Sequence, residues 1–587
     1  MPVEPSARVE CPHAAHCGGC ALIALPYAEQ LTHKRAALAE SLAGYPELAA
    51  LPVADVVAAD AITDYRLRAK LVVVNGAIGL YARGSHDVVD LPACRVLDPR
   101  VARAVAAVRA RLPFPFALLA LDARAVDGGT LVTLVVEEGS DEAEVKRAAD
   151  DLRAAVPEIV GVSISRRAAR SPVLLGSPPR ALSGVETASH RISPEAPWHV
   201  AAPGSFVQAH AGQAAALHAL VERELASALG GLKGQRILEL YAGSGALALS
   251  LARAGAQVTA VDSYEPGIRR LEAAAREQTL EIRAVADRAE AVLAREKSVR
   301  AVIVDPPRRG LSPEVRMSIA RLKPEAVVVV ACSPATFARD LAHFARMGYA
   351  ASGVTPLDMI PLSDAVEAFA LLRGGAPPSI PVLYESTALI VVNKPPFLPT
   401  TPQGEYDDSL LARVRALPGA ARAVPVHRLD IGTSGVCLFA RTPEDVEPLA
   451  RALARSQKQY TALVRGIVRD RGNIRRPLRD DGKSRPSLTR YKRERVAGTH
   501  SLVTAMPQEG RQHQIRRHFA GIGHPVLGDT RYGDPASNRY FEEQHGLDRA
   551  FLHLGRLELA LDSGAVMLEA GMAGDLGAVV GSLTSPF

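Results

Sequence analysis

Apolar and polar positions along the chain change their spacing several times, and the spacing predicts distinct structural regions. Near the N-terminus, the segment Pro26–Gly44 begins with proline and ends with glycine, which predicts a helix. From about residue 52 to 195, short apolar runs at Leu71–Val74, Thr130–Val136 and Ile159–Ile164 alternate with charged helical patterns. This mixture indicates an α+β region, so residues 1–200 are expected to form the first part of the protein.

The remaining sequence predicts a parallel sheet followed by a mostly antiparallel β structure. Between residues 201 and 373, apolar strands alternate with helical patterns, which favours a doubly wound α/β sheet. The stretch Gly374–Pro381 is rich in glycine and proline and predicts a linker. Residues 382–587 carry many short strand and turn signals. We therefore predict a multidomain protein that combines α/β and α+β architecture.

Composition is that of an ordinary globular protein, with 48% hydrophobic and 22% charged residues. No uninterrupted apolar stretch approaches the roughly 20 residues of a membrane span. The opening MPVEPSARVECPH lacks the apolar core of a secretory signal. The expected location is therefore the cytoplasm.

Positive charge is concentrated in one segment of the last region. Between Arg465 and Arg495 there are twelve Lys or Arg and four Asp or Glu, a net charge of +8, whereas the whole chain carries +6. Such a segment is either a solvated loop or a surface that faces RNA. The motifs that precede it in the sequence, given below, favour the RNA-facing surface.

Three of the six cysteines crowd one N-terminal loop, where Cys11, Cys17 and Cys20 form the pattern C-x5-CGGC. Cys94 is the other cysteine that precedes the predicted parallel sheet. Four thiolates hold either a [4Fe–4S] cluster or a tetrahedral zinc ion, and the spacing favours neither over the other. Cysteines without a ligand remain a third interpretation.

The first strand of the predicted sheet, RILEL at Arg236–Leu240, runs into the turn YAGSG and then a helix. A second strand ends at Asp262. The glycines allow a ligand to approach the backbone, and an acid after the second strand accepts ribose hydroxyls. A dinucleotide-binding fold has nearly the same pattern, so this motif alone indicates only a nucleotide-like ligand.

The next two strands carry candidate chemistry at the same edge of the sheet. AVIVDPPRRG places Asp305 after a buried strand, and this Asp-Pro-Pro resembles S-adenosylmethionine-dependent methyltransferases that act on planar bases. VVVVACSPATFARD places Cys332 after the following strand. Cys332 is either plain core packing or a residue of the ligand-binding edge.

A cysteine at this edge has a chemical use if the base is uracil, because C5 of uracil is a poor nucleophile. Addition of a thiolate to C6 makes C5 nucleophilic towards a methyl group, and a base must then remove the C5 proton. Downstream of Cys332, Glu367 is the candidate base, although a surface acid at a strand start would look the same.

The region from about residue 8 to 373 resembles the RNA 5-methyluridine methyltransferases, and among them the iron–sulfur members that act on large-subunit ribosomal RNA. The matching motifs are C-x5-CGGC with Cys94, YRLRAK, SFVQAH, LYAGSG, DPPRRG and CSPATFARD. The resemblance implies a Rossmann-like fold, Cys332 as nucleophile and Glu367 as base. It assigns these residues to the methyl donor S-adenosylmethionine: Gln208, Tyr241, Gly243, Asp262, Asp287 and Asp305. It also implies a [4Fe–4S] cluster on Cys11, Cys17, Cys20 and Cys94, with zinc as the alternative.

The sequence departs from this family at several positions. Ser333 stands where the family has Asn, Ala365 where it has His, and Glu239 where the first sheet motif has Asp. Only ten residues precede Cys11, so the small N-terminal RNA-binding barrel of some members is expected to be absent.

Residues 382–570 carry the motifs ALIVVNKPPFLPTTP, HRLDIGTSGVCLFART, SQKQYTALVRG and EGRQHQIRRHFAGIGHPVLGDTRYG. Together they resemble the RluA-type pseudouridine synthases, and the C-terminal residues resemble the tRNA pseudouridine synthase C subgroup. The resemblance makes Asp430 the catalytic carboxylate. A cation should hold this carboxylate ionised and oriented, and we expect Arg516 to be that cation, with Arg511 as the second choice. Tyr460 is expected to stack on the flipped base, and Arg428 to fill the gap left in the RNA.

The sequence thus predicts a bifunctional enzyme that modifies 23S rRNA, tRNA or both, with no protein partner evident. One nucleotide cannot receive both modifications, because C5 of pseudouridine is bonded to the sugar. One alternative is that a single half is catalytic and the other serves as an RNA-binding module, and Ala365 makes the methyltransferase half the weaker one. Another alternative is a zinc-bearing RNA chaperone without catalysis.

Overall fold

A computed structural model describes residues 3–402, 408–480, 483–562 and 564–583. Three large sheets follow one another along the chain. The helix predicted between Pro26 and Gly44 is confirmed as α1 (Tyr27–Ala43). Within the described ranges, no helix combines the length and apolar character that a membrane crossing requires.

The first sheet is mixed and has the strand order β3-β2-β1-β4-β5-β6-β7, in which only the β5–β6 pair is parallel. Helices α2 and α3 pack on β4, β5 and β6, and Asp98 caps α2 by accepting a hydrogen bond from the Arg100 amide. The elements are β1 (Arg68–Val74), β2 (Ala77–Tyr81), β3 (Val88–Asp90), α2 (Pro99–Arg109), β4 (Leu118–Val126), β5 (Gly129–Glu137), α3 (Glu142–Ala155), β6 (Ile159–Arg167), β7 (Arg180–Gly184), β8 (Ala188–His190) and β9 (His199–Ala201).

The second sheet is the expected doubly wound structure with an antiparallel addition. Its strand order is β12-β11-β10-β13-β14-β17-β15, and the first five strands are parallel. Strand β17 runs antiparallel between β14 and β15, because no crossover helix separates β15 from β17. The elements are α4 (Ala211–Leu229), β10 (Arg236–Leu240), α5 (Ala246–Arg253), β11 (Gln257–Asp262), α6 (Glu265–Glu277), β12 (Ile282–Ala286), α7 (Ala289–Arg295), β13 (Ala301–Val304), α8 (Pro313–Arg321), β14 (Ala326–Ala331), α9 (Pro334–Arg346), β15 (Tyr349–Ala351), β16 (Thr355–Leu357) and β17 (Glu367–Gly374).

Every residue of β13 and β14 is buried, as expected for central parallel strands covered by helices on both faces. Their carboxyl ends therefore lie in a fixed core, with Asp305 directly after β13 and Cys332 directly after β14. The core places these two side chains at one edge of the sheet.

The third sheet is mostly antiparallel, as predicted, with the strand order β18-β19-β21-β28-β22-β27-β26-β23 and one parallel pair, β21–β28. Strands β20 and β29 pair at its sides with β21 and β28. The elements are β18 (Val382–Glu385), β19 (Leu389–Lys394), α10 (Leu410–Arg415), β20 (Val424–Pro425), β21 (Ser434–Ala440), α11 (Val446–Arg455), β22 (Gln457–Val464), β23 (Arg471–Arg475), β24 (Leu478–Asp480), β25 (Lys483–Arg485), β26 (Leu488–Ala497), β27 (His500–Pro507), α12 (Gln514–Gly521), α13 (Pro535–His545), β28 (Leu552–Leu561), β29 (Gly564–Glu569) and α14 (Gly574–Ser582).

Candidate active sites

Cys332 and Glu367 face each other across the β14–β17 pair. Ala331, the last residue of β14, is paired with Ala368; Cys332 directly follows β14, and Glu367 is the first residue of β17. Glu367 is buried and Cys332 is half-buried. The Glu367 charge acts on the Cys332 thiol, so the two groups lie near each other at this edge of the sheet.

The surroundings oppose ionisation of both groups. Burial, and then the nearby Glu367 carboxylate, raise the pKa of the Cys332 thiol to about 11, while the Arg308 guanidinium acts in the opposite direction. Burial and the neighbouring Asp305 carboxylate raise the pKa of Glu367 well above its usual value. Burial likewise raises the pKa of Asp305. Titratable groups with strongly shifted pKa values, gathered at a sheet edge, mark a candidate site for proton transfer and nucleophilic chemistry.

The residues expected at the methyl donor surround the turn after β10. Asp262 accepts hydrogen bonds from the amides of Gly243 (3.0 Å) and Tyr264 (2.8 Å), which fixes its carboxylate beside the turn. Each carboxylate oxygen retains a free acceptor position for a ribose hydroxyl. Tyr241 has φ +63°, a strained conformation for a bulky residue and one that is typical of functional sites.

Two further residues of the expected donor set have different environments. Asp287 follows β12, where it accepts hydrogen bonds from the Arg288 amide (2.8 Å) and the Arg295 guanidinium (2.5 Å). Its own amide donates to the Asp262 carbonyl at 3.1 Å, so the two acids are neighbours. Gln208 is half-buried in the loop before α4.

Asp430 lies on the loop before β21, and Arg516 is the cation that holds it. Arg516 donates from Nη1 to Asp430 Oδ2 at 3.2 Å, and from Nε and Nη2 to the two oxygens of Asp529 at 2.7 Å each. Asp529 is fully buried, whereas the Asp430 side chain is 35% exposed. The bidentate pair therefore orients the guanidinium, and Asp430 remains open to a substrate.

Of the other residues expected at this site, Tyr460 lies near Asp430. Tyr460 belongs to β22, and burial, followed by the Asp430 charge, raises the pKa of its hydroxyl above its usual value. Arg428 precedes Asp430 by two positions. Arg511 does not take the place of Arg516: its amide bonds to Gln514, and its Nε atom is buried without a hydrogen-bond partner.

Sequence reasoning did not single out His513 and Tyr532 at this site. His513 Nε2 lies 3.7 Å from Asp430 Oδ1, and its Nδ1 is 3.1 Å from the Tyr532 hydroxyl. The Arg516 guanidinium stacks over the Tyr532 ring at 5.3 Å. His513 also has φ +54°. Its position in the HQIR run, three residues before the arginine expected to bind Asp430, was the available signal.

Cys11, Cys17, Cys20 and Cys94 come together between the N-terminal loop and the first sheet. The backbone of Cys17 forms an isolated β-bridge with that of Ala82. Burial, together with the charges of the three other cysteines, raises the pKa of the Cys20 thiol to about 11. Among the described residues, no group of three or more His, Cys, Asp or Glu side chains has metal-binding geometry. The four thiols thus interact, but they do not form a metal site as they stand.

The basic segment between Arg465 and Arg495 forms β23 to β26, and many of its arginines and lysines are exposed. Asp481, one of its four acids, lies outside the described residues. Two of the exposed arginines are tied to α12, where Arg476 donates to the Gly521 carbonyl at 3.1 Å and Arg517 donates to the Arg479 carbonyl at 3.1 Å. The segment is therefore attached to the helix that carries Arg516.

Comparison with known proteins finds one set of relatives for the N-terminal region and another for the C-terminal part of the chain. A family model described as RNA pseudouridylate synthase matches residues 388–521, and one described as conserved hypothetical protein 95 matches residues 218–358. An uncharacterized RNA methyltransferase of Gloeobacter violaceus is 32% identical over 62% of this chain and 83% of its own length. The 23S rRNA (uracil(1939)-C(5))-methyltransferase of Halomonas elongata is 32% identical over 62% of this chain and 76% of its own.

The C-terminal part has relatives of its own. The tRNA pseudouridine synthase C of Haemophilus ducreyi is 32% identical over 29% of this chain and 82% of its own length. Among solved structures, the tRNA (uracil-54, C5)-methyltransferase of Pyrococcus abyssi in complex with S-adenosyl-L-homocysteine is 25% identical. It covers 61% of this chain and 86% of that one, with a TM-score of 0.49.

The fold, the two sites and these relatives define a class of protein: a chain that joins an RNA methyltransferase part to a pseudouridine synthase part. It belongs to the RNA uracil-C5 methyltransferases over its N-terminal region, and to the RluA-type pseudouridine synthases over its C-terminal part. The resemblance carried by the sequence motifs is thereby confirmed for both parts.

Proposed function

We propose that this protein methylates C5 of one uridine and isomerises another uridine to pseudouridine, in ribosomal RNA, transfer RNA or both. The observation that carries the proposal is the presence of two separate pairs of side chains suited to uracil chemistry. Cys332 faces Glu367 at the edge of the second sheet, and Asp430 is held by Arg516 in the third.

In the methylation reaction, the Cys332 sulfur adds to C6 of the uracil, which makes C5 nucleophilic. S-adenosylmethionine supplies the methyl group that C5 receives. Glu367 then takes the C5 proton, the C5–C6 double bond re-forms, and the Cys332 thiolate leaves C6. The proximity of the two groups supports these roles, because both must reach adjacent atoms of the same ring.

The donor would lie along the turn after β10, with Tyr241, Gly243 and Asp262 beside it and Gln208 and Asp287 at its sides. Asp305 would line the space between donor and uracil. The methyltransferase relatives, which match the N-terminal region of this chain, support this use of the sheet edge.

In the isomerisation, the bond between N1 of the base and C1′ of the sugar breaks, the base turns over, and C5 bonds to C1′. No cofactor is required. Asp430 would act on the sugar or the base to assist this cleavage, with its charge oriented by Arg516. Tyr460 would stack on the everted base, and Arg428 and Arg511 would contact the RNA.

We further propose that Cys11, Cys17, Cys20 and Cys94 hold a [4Fe–4S] cluster, with zinc as the less favoured occupant. Four soft thiolates are a suitable donor set for either group. Burial, and the repulsion that ionised Cys94, Cys17 and Cys11 would exert, raise the pKa of Cys20 to about 11, and a bound cation would relieve this cost of ionisation. The cluster would fasten the N-terminal loop to the first sheet. Iron analysis and visible absorption of protein purified without oxygen, with Cys20→Ser as the comparison, would test this assignment: zinc alone or no metal would reject it.

Nucleoside mapping of total RNA from cells that lack the gene tests the proposed function. We expect two positions to lose their modification, one 5-methyluridine and one pseudouridine. Each should return when the wild-type gene is restored. If a single modification is lost, one half of the protein serves the other as an RNA-binding module. If neither is lost, the proposed function is wrong.

A further inference from the structure

A buried ion cluster joins the methyltransferase part to the pseudouridine synthase part. Arg316 of α8 is fully buried, and it donates from Nη1 to Asp340 Oδ1 at 2.6 Å and from Nη2 to Asp548 Oδ2. Arg339 of α9 donates to Asp340 at 2.8 Å and lies 3.5 Å from Asp548. Asp548 precedes β28 and is the one member of this four-residue cluster that the pseudouridine synthase part contributes.

The cluster holds the loop that follows Asp305. Arg339 donates to the carbonyls of Arg309 (2.9 Å) and Leu311 (3.1 Å), and Asp340 accepts the Leu311 amide at 2.8 Å. Gly310, with φ +71°, has no room for a side chain, because a Cβ atom there would lie 2.5 Å from Arg339. The loop therefore depends on the orientation of Arg339 and Asp340.

The charges of the cluster balance only when Asp548 is included. Arg316, Arg339 and Asp340 together carry one surplus positive charge in the protein interior, and Asp548 cancels it. An uncompensated buried charge is strongly destabilising. The nearby charged groups are already paired with other partners: Arg346 with Glu47, and Asp575 with Arg549.

The remaining titratable neighbours do not supply the missing negative charge. His343 is kept neutral, since burial and the surrounding arginines lower its pKa well below the usual value. Burial raises the pKa of Glu542 on α13, which disfavours its ionised form. Asp548 is thus the carboxylate that is positioned to neutralise both arginines.

The same interface reaches the Asp430 loop. The Phe397 ring stacks on His343 at 4.7 Å and lies 5.4 Å from the Arg316 guanidinium, while its amide donates to the Ile431 carbonyl at 2.8 Å. Arg549, next to Asp548, donates to the Gly432 carbonyl at 2.7 Å. The contacts that complete the methyltransferase loop therefore come from the framework around the second active site.

We propose that Asp548 of the pseudouridine synthase part is a positioning residue for methyl transfer, acting through Arg316, Arg339 and Asp340 on the loop after Asp305. The inference rests on the proposed methyltransferase function and adds to it that this half requires its fusion partner. Asp548 itself touches neither uracil nor donor.

Single-turnover methylation by full-length Asp548→Asn, Arg316→Met and the double variant tests the proposal, with pseudouridine formation measured in the same samples. Asp548→Asn leaves a charge of +1 and Arg316→Met leaves −1, so each should lower the methylation rate constant about tenfold or more while the KM for RNA changes little. The double variant is neutral again and should recover most of the rate, as should Asp548→Glu. Asp562→Asn, which removes an exposed carboxylate paired with Arg455, is the matched control and should behave as wild type.

Hydrogen exchange gives a second readout that does not depend on activity. In Asp548→Asn, amides of the loop 305–311 should exchange faster, and those of β10 should not. A methylation rate equal to wild type in Asp548→Asn would overturn the inference, and so would a double variant as impaired as the worse single variant. If the wild-type protein itself makes no 5-methyluridine, the proposed function fails. The hydrogen-exchange result then tests, without any activity measurement, whether Asp548 orders the loop after Asp305.

Discussion

Arg516 donates a hydrogen bond to Asp430 at 3.2 Å while the rest of its guanidinium is fixed by the buried Asp529. The partly exposed carboxylate thus has a cation whose direction is set before RNA arrives. Pre-orientation of this kind is what a reaction without a cofactor requires of its protein.

Removal of that guanidinium should affect one reaction and leave the other. We expect Arg516→Met to lower the single-turnover rate of pseudouridine formation about ten- to a hundredfold, the range that corresponds to a hydrogen bond with a charged group. Methylation should remain within about twofold of wild type, because Arg516 lies in the third sheet's site. Arg451→Met is the control, since Arg451 is exposed on α11 and pairs with Glu447. An unaltered pseudouridine rate in Arg516→Met would refute its role.

Loss of the base should trap the enzyme on its RNA. In Glu367→Gln, Cys332 adds to C6 and C5 is methylated, but the C5 proton stays and the thiolate cannot leave. We expect a covalent protein–RNA species on denaturing gels when S-adenosylmethionine is present. The double variant Cys332→Ala/Glu367→Gln should give none. A trapped species of equal yield in that double variant would show that another residue is the nucleophile.

The pH dependence of methylation is set by the two raised pKa values. Burial and Glu367 raise the pKa of the Cys332 thiol to about 11, and burial and Asp305 raise the pKa of Glu367. The Cys332 thiol is mostly protonated at pH 7 and acts when ionised, and the upward shift of the Glu367 pKa acts in the same direction, so the single-turnover rate should increase from pH 6 to 9. Pseudouridine formation on the same RNA controls for binding. A methylation rate that is flat or falls over this range would contradict the assignment.

Ionisation of the buried Glu239 carboxyl should lower the free energy of unfolding at high pH. Its carboxyl is buried with one oxygen unpaired, and burial, then Asp305 and Asp262, raise its pKa to about 8. Between the unfolded pKa of about 4.3 and this value, the native state keeps a proton that the unfolded chain releases, so stability falls as pH rises.

Glu239→Gln removes this dependence. Its melting temperature relative to wild type should therefore be several degrees higher at pH 8 than at pH 5, because 1 kcal/mol shifts the melting of a domain of this size by about 2–4 °C. Glu277→Gln, on the exposed face of α6, should show no such difference. A pH-independent difference for Glu239→Gln would mean that its carboxyl is ionised in the folded protein.

Local patterns in the sequence were sufficient to place the strands and the reactive residues at their carboxyl ends. The RILEL strand is β10, and Asp305 and Cys332 stand directly after β13 and β14, because apolar runs in a parallel sheet end where the ligand-binding edge begins. The antiparallel insertion of β17 was not predicted, since short strands after α9 carry no signal for their direction.

Contacts between residues far apart in the chain could not be predicted from the sequence. Arg316 and Asp548 are separated by 232 positions, and neither lies in a periodic pattern or a motif that identifies the other as its partner. The same holds for Lys394, which is buried and donates to the Ile431 and Thr433 carbonyls. A lysine at a strand end looks solvent-exposed in the sequence, and only tertiary structure supplies those acceptors.

Mass spectrometry of substrate RNA treated with Cys332→Ala and Asp430→Ala variants tests the central claim most directly. We predict that Cys332→Ala loses 5-methyluridine and keeps pseudouridine, and that Asp430→Ala loses pseudouridine at a different position and keeps 5-methyluridine. Loss of both modifications at one position in either variant, or survival of both in either variant, would contradict this claim.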